Sequence, residues 1–294
     1  MTTSSAAQLD VRAVGIDDFE AIYPLLLEFN NSRMSRDDWR EMLFSYRWSR
    51  EPLRGYALYA HGRPVGFLGT IFSNRQVLGR SERICNTSSW IVRPEHRASS
   101  VLLLKPVLSL RNCTIVQLTP SQRAHDIFSK LGFVPLESEQ LLLSPLASPS
   151  QLGRALGGSF TLASDELRHE LGGIERRIYD ELSPGSRTRH VLLRRKDRRC
   201  YIVATLLHRK RMRFAELHYV GDLEFFWEHR PLAHAALLRA MGAVGIAIDR
   251  RFAEGRNVRL AIRRPARRLY RPGRPDITPT MIDGLYSELM TLQI

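Results

Sequence analysis

Two stretches of the chain, residues 55–72 and 190–207, are written on one plan. GYALYAHGRPVGFLGTIF and HVLLRRKDRRCYIVATLL each place two apolar runs around a short polar loop, His61-Gly62-Arg63 in the first and Lys196 to Arg199 in the second. Runs of that length about a tight turn read as β-hairpins. Their surroundings repeat as well. Helical spacing precedes each hairpin, over residues 16–30 and Arg36 to Ser45 in the first half and over 165–182 in the second. A strand follows each, 84–92 and 214–220, then a His-Arg dipeptide (His96-Arg97, His229-Arg230), a helix (99–110, 231–242) and a further strand (113–118, 244–249). The order predicts an α/β chain of two domains in tandem, each a mixed, largely antiparallel sheet flanked by helices, with a duplication as its origin.

Phe19, Ile22, Leu25, Leu26 and Phe29 share one helical face behind Asp17 and Asp18, and Trp39, Met42 and Leu43 share another behind Ser35 as N-cap. A helix over 121–131 is expected to end at Gly132. The segment 143–153, LSPLASPSQLG, has the Ser, Pro and Gly content of a connector and no periodicity. The expected organisation is a disordered tail over 1–9, a first domain over 10–145, a linker over 146–155 and a second domain over 156–294.

Charge is unevenly shared. Residues 1–150 hold 17 basic and 14 acidic side chains, which leaves 27 and 16 for residues 151–294. A positive field in the second half attracts phosphorylated ligands, anionic glycans, nucleic acids or membrane surfaces. Only four of the 44 basic residues are lysine, a bias that coding composition alone can produce. Cys85, Cys113 and Cys200 stand far apart without CxxC spacing, which argues for small core residues and against a disulfide scaffold or local zinc site. No run of 18 apolar residues could span a bilayer, and the start, MTTSSAAQLD, lacks the basic and apolar segments of a secretory signal. The expected compartment is the cytoplasm.

After the strand ending at Val92 comes Arg93-Pro94-Glu95-His96-Arg97-Ala98-Ser99-Ser100, and further on Ala124-His125-Asp126-Ile127-Phe128-Ser129-Lys130-Leu131-Gly132-Phe133. The first resembles the V-x-P-x-x-[QR]-x-x-G-x-[GA] signature of the GNAT superfamily of acyl-CoA-dependent N-acyltransferases, with Val92, Pro94 and Arg97 in place. The second resembles that family's A-x-x-x-Y-x-K-x-G-F. The resemblance covers about residues 10–140 and, through the internal repeat, extends weakly over 165–260. It implies acetyl-CoA or another acyl-CoA as co-substrate and no metal. It implies a cofactor site of Ile91, Val92, Arg97, Ala98, Ser99 and Ser100. Physically, a turn leaving a strand and the first turn of a helix offer unpaired N–H groups and a favourable dipole to a pyrophosphate, and small side chains let the anion approach the backbone. Ser100 and Leu102 stand at the glycine positions. Arg230-Pro231-Leu232-Ala233-His234-Ala235 has small residues at both matching places, so a site in the second half is a live alternative.

The resemblance implies acyl transfer to an amine through a tetrahedral oxyanion. Three polar positions of the family are vacated: its frequent glutamate by Ser89, its asparagine by Ser121, and its tyrosine, the general acid toward the thiolate, by Phe128. Ser88, Ser89 and Thr119 are the polar side chains expected nearest the reacting carbon. The acceptor is read as a small-molecule or glycan amine, tilted toward an anionic one. The rival reading is an inactive module that binds CoA or nucleic acid. Nucleic acid is disfavoured because the run Arg263-Arg264-Pro265-Ala266-Arg267-Arg268 has little aromatic interleaving and reads as a solvated tail or an anionic-substrate rim. His208, His218, His229 and His234 lack metal-ligand spacing, and Gly66 and Gly69 lack a P-loop lysine.

Overall fold

A computed structural model describes residues 9–145, 158–162, 164–182, 187–209, 212–258 and 260–292. The chain divides into two compact units, one of residues to Phe133 with Tyr270–Ile277, the other of Val134–Leu269 with residues from Thr278. The expected linker, 146–155, and residues 1–8 of the expected tail lie outside the described residues. Leu9 already belongs to a strand.

In the first unit β1 (Leu9–Val14), β2 (Gly55–Ala60), β3 (Arg63–Val77), β4 (Arg80–Val92) and β5 (Cys113–Gln117) lie side by side in chain order. The first three pairings are antiparallel and β4–β5 is parallel. The hairpin expected around His61-Gly62 is present, with both residues at positive φ (49° and 75°). β3 and β4 run well beyond the expected 64–72 and 84–92 and meet at Leu78-Gly79, again both at positive φ (53° and 72°), the geometry whose twist suits a two-residue hairpin turn. Polar residues such as Ser73, Asn74, Arg75, Arg83 and Glu82 hid this extension from a reading based on apolar runs.

Helices α1 (Phe19–Leu27) and α2 (Arg36–Leu43) bury Phe19, Ile22, Leu25, Leu26, Trp39, Met42 and Leu43, the faces that their spacing predicts. Each such side chain contributes about 1.5–3 kcal/mol of transfer free energy. Ser35 caps α2 as expected, accepting from the Asp38 N–H (3.2 Å) while Asp38 accepts from the Ser35 N–H (2.8 Å). The returning segment Tyr270–Ile277 is fastened in this unit. Thr114 donates to buried Glu82 (2.6 Å), the Gly273 N–H donates to Thr114 Oγ1 (2.9 Å), and Arg274 pairs with Glu82 (3.2 Å).

In the second unit β7 (Ser159–Leu162), β8 (Arg189–Arg195), β9 (Arg198–Arg209), β10 (Met212–Val220) and β11 (Gly245–Asp249) repeat that order and the same sequence of three antiparallel pairings and one parallel. β6 (Val134–Leu143) adds antiparallel to β11, and β12 (Ile262–Arg271) neighbours β6. Leu143, expected to open the connector, is a buried strand residue opposite Ile246. The helix expected over 165–182 is two, Asp165–Glu170 and Gly173–Leu182, because the chain leaves helical geometry at Leu171 (ψ 143°) and Gly173 sits at φ 53°. The helix expected over 231–242 is preceded by a short one, Leu223–Glu228, capped by Asp222, and itself runs Arg230–Met241. All three cysteines are buried.

Candidate functional site

The ladder between β4 and β5 runs from Arg83–Cys113 to Asn86–Val116 and stops there, although β4 continues to Val92 along β3. Side chains finish the last pair. The Asn86 amide donates to the Thr87 carbonyl (3.1 Å) and the Val116 carbonyl (3.4 Å), and the Thr87 hydroxyl donates to Val116 as well (3.3 Å). Three residues further along, β4 bulges: Ser88 faces Gly69 and Ile91 faces Phe67, so three steps on β4 match two on β3. Ser89 takes φ 53°, a left-handed conformation that costs a non-glycine residue about 1 kcal/mol or more and concentrates at functional sites. Beyond the split lies a cleft of about 350 Å3 lined by Trp90, Ile91, Val92, Arg97, Ser100, Ser121, Arg123, Ala124 and Ile127.

Of the residues expected at a cofactor site, Ile91, Val92, Arg97 and Ser100 stand on this wall, while Ala98 and Ser99 occupy the same turn without lining it. Ser88 is buried with its hydroxyl 3.3 Å from that of Ser89, and neither serine nor Thr119 is on the wall. The helix expected over 99–110 is corrected. Pro94–Leu103 winds as a 3-10 helix, and only Leu104–Leu108, α3, is α-helical. Pro106 is the reason: it has no N–H to give to Leu102 and its ring crowds that carbonyl, so the α-helix cannot reach back past its first turn. The tighter winding uses a donor that an α-helix would leave free, the His96 N–H, which bonds to the Arg93 carbonyl (2.9 Å). This turn therefore offers an anion one backbone donor fewer than an α-helix N-terminus would. Leu102, at the second glycine position, is 41% exposed and outside the core.

Sequence reasoning missed Trp90, Arg123, Ala124 and Ile127 and placed Ser121 only as a vacated family position. Ser121 carried a legible signal. It is the N-cap of α4 (Gln122–Lys130), accepting from the Ala124 N–H at 3.3 Å, and so brings that helix's positive end to the cleft beside Arg123. Phe128 is fully buried, edge-on to Trp90 (5.8 Å) and Phe133 (4.8 Å).

The second unit is built differently at the matching place. Its parallel ladder stops at Glu216–Ala247, and a register shift follows between Leu217 and Tyr219. Here buried Arg268 bonds both Glu216 (2.6 Å) and Asp249 (2.8 Å), Gln140 donates to Glu216 (2.9 Å), and Arg251 pairs with Asp249 (2.8 Å). The arginine run expected to be a solvated tail or rim is thus strand β12, with Arg268 inside. At the alternative cradle, Arg230–Ala235, the Leu232 and Ala233 N–H groups both bond to the His229 carbonyl (2.9 and 3.3 Å), and Ala233 is fully buried. Burial lowers the Arg230 pKa and holds His234 at about 4. His218 bonds Thr205 (2.7 Å) and His229 bonds Arg195 (3.2 Å). Among the described residues no group of histidine, cysteine and carboxylate side chains is placed to hold a metal ion, and no helix is long and apolar enough to cross a membrane.

No family profile and no curated protein matches this chain by sequence. Solved structures do match its shape. A GCN5-related N-acetyltransferase from Anabaena variabilis superposes with a TM-score of 0.60 at 11% identity, covering 91% of this chain and 73% of that one. One from Kribbella flavida gives 0.57 at 11% identity, with 92% and 72% covered. A GCN5-related glucosamine N-acetyltransferase region of a fungal multi-domain GH3 β-N-acetylglucosaminidase gives 0.59 at 14% identity, with 92% and 39% covered. The chain has the fold of the GCN5-related N-acetyltransferases.

Proposed function

We propose that this protein is an acyltransferase that takes an acyl group, in the simplest case acetyl, from acyl-CoA held in the cleft of the first unit. The observation that carries the reading is the end of the β4–β5 ladder at Asn86–Val116, with two arginines, Arg97 and Arg123, in the lining of the cleft beyond it. A CoA molecule needs a slot that accepts an extended amide-bearing arm and a cationic rim for its phosphates. The stretch of β4 beyond its ladder with β5 would supply the first by strand-like hydrogen bonding, and the two guanidinium groups with Ser100 and the α4 N-terminus the second.

In the reaction a neutral amine attacks the thioester carbonyl carbon. A C–N bond forms, the C–S bond breaks, the electron pair leaves on sulfur, and the ammonium proton passes to solvent. Backbone N–H groups at the Ser89 bulge would hold the oxyanion. No tyrosine waits for the thiolate, since Phe128 has no proton to give. A thiolate is stable enough to leave unaided and take its proton from water. In this reading the first unit binds acyl-CoA, in a cytoplasmic setting. The amine belongs to a small molecule or glycan, in keeping with the glucosamine N-acetyltransferase region among the structural neighbours.

Release of CoA thiol from acetyl-CoA, followed across aminosugars, nucleotide aminosugars, amino acids and peptide amines with mass detection of the N-acetyl product, tests the reading. Enzyme-dependent product with one class supports it. Tight CoA binding with no product across the panel would favour the second reading, a CoA-binding module without turnover, for which the buried Phe128 speaks.

A further inference from the structure

The helical segment 101–108 and helix α4 carry more apolar surface than the core of the first unit uses. Leu103, Val107 and Phe128 are their fully buried residues. Val101, Leu104 and Leu108 form a second stripe, at i, i+3 and i+7, and Ile127 and Leu131 another, at i and i+4. The two stripes line one groove of about 390 Å3, in which Leu104 is covered while Val101 (51%) and Leu131 (38%) stay exposed. Single exposed apolar side chains are ordinary, but a groove of them marks a binding surface. Its charge has one sign. Lys105 and Lys130 line it, one from each helix, no carboxylate does, and neither lysine has an acidic partner among the described residues. Ser109, the remaining polar residue, turns its hydroxyl back to the Lys105 carbonyl (2.9 Å).

We infer that this groove binds an amphipathic anion, a single free alkyl chain ending in a carboxylate, at a second site beside the cleft, with which it shares only Ile127. Size and charge select the occupant. From Val101 to Leu108 the wall rises about 12 Å, and the groove has the volume of a small-ligand pocket. Its eight side chains are far fewer than the roughly 20 to 30 residues that each side of a stable protein interface uses. A second copy docked groove to groove would set lysines against lysines. An alkyl carboxylate instead lays apolar surface on both stripes and along the lysine stems, and brings its negative end to an ammonium group.

Calorimetric titration of the full chain with sodium decanoate, kept below its micelle concentration, tests the inference beside hexanoate and decyltrimethylammonium. Decanoate should bind with one site per chain and shift the amide resonances of residues 101–109 and 127–131. Hexanoate should bind at least tenfold more weakly, since each methylene taken out of water is worth up to about fourfold. The cationic ligand, with the same chain, should also bind at least tenfold more weakly. Lys105→Gln and Lys130→Gln keep part of each stem at exposed positions that the fold does not depend on. Each should weaken decanoate about two- to fivefold, and the double variant about tenfold. Unchanged decanoate affinity in the folded double variant, or equal affinity for the cationic ligand, would overturn the site. So would displacement of decanoate by adenosine 3′,5′-bisphosphate, which would make the groove part of a nucleotide seat. Binding only to phosphatidylglycerol vesicles on co-sedimentation, with no heat from free decanoate, would replace the inference with a membrane contact. A protein that binds decanoate but no CoA refutes the reading of the cleft and leaves this one standing.

Discussion

His190 in the second unit makes acid sensitivity a quantitative expectation. It is 2% exposed, with Nδ1 2.5 Å from the Tyr201 hydroxyl and Nε2 3.0 Å from Thr188 Oγ1, which itself donates to the Leu182 carbonyl (3.0 Å). Burial pushes the Tyr201 pKa up, so its hydroxyl keeps its proton and donates to Nδ1. Nε2 then carries the imidazole proton and gives it to Thr188. This one-way chain is complete with a neutral ring, and desolvation holds the His190 pKa at about 4 against an ordinary 6.5. The unfolded chain binds a proton below pH 6.5 and the folded one does not until about pH 4, so stability falls as pH falls through that window. Linkage puts the loss at about 2 to 3 kcal/mol between pH 7 and pH 4.5. His234, also at about 4, adds a similar amount. Urea unfolding of wild type and His190→Gln at both pH values checks this. The variant should be less stable at pH 7, having lost its ring contacts with Tyr179 and Tyr201, but its further loss on acidification should be smaller by about 2 to 3 kcal/mol. Parallel pH dependences in the two proteins would refute the assignment of a buried neutral imidazole.

Arg268→Met should cost about 3–5 kcal/mol in urea unfolding, because it leaves Glu216 and Asp249 buried without their shared cation. Adding Glu216→Gln and Asp249→Asn to that variant should recover much of the loss, whereas a deficit under 1 kcal/mol in the single variant would contradict the network. Phe128→Tyr should destabilise by about 1–3 kcal/mol, since the ring is fully enclosed beside Trp90 and Phe133 and offers the new hydroxyl no water. It should not speed thiol release, and a several-fold gain would mean that the hydroxyl reaches the leaving group after all.

Period and turn chemistry carried much of the fold. Phe19 to Leu26 and Trp39 to Leu43 announced their helices because one face is apolar, and the two hairpins announced themselves because apolar runs flank a turn, although the second turn is only Lys196-Asp197, since Arg198 and Arg199, expected in the loop, pair with Arg195 and Arg194. β12 and the outer halves of β3 and β4 were illegible for the opposite reason. Their charged residues are satisfied by partners distant in sequence, such as Glu216 for Arg268 and Arg274 for Glu82, and pairing of that kind leaves no local pattern. At the candidate site the first signature led to Ile91, Val92, Arg97 and Ser100. Arg123 escaped, because one arginine among 40 says nothing until α4 has turned it toward the cleft.

The account stands on CoA binding in the first unit's cleft, and calorimetric titration of CoA into wild type, Arg97→Ala, Arg123→Ala and Arg230→Ala addresses that claim most directly. Binding to wild type, weakened about tenfold by either Arg97→Ala or Arg123→Ala at roughly 1.4 kcal/mol per decade and unchanged by Arg230→Ala, is the predicted result. Affinity lost only in Arg230→Ala, or no heat from wild type at millimolar CoA, would contradict it.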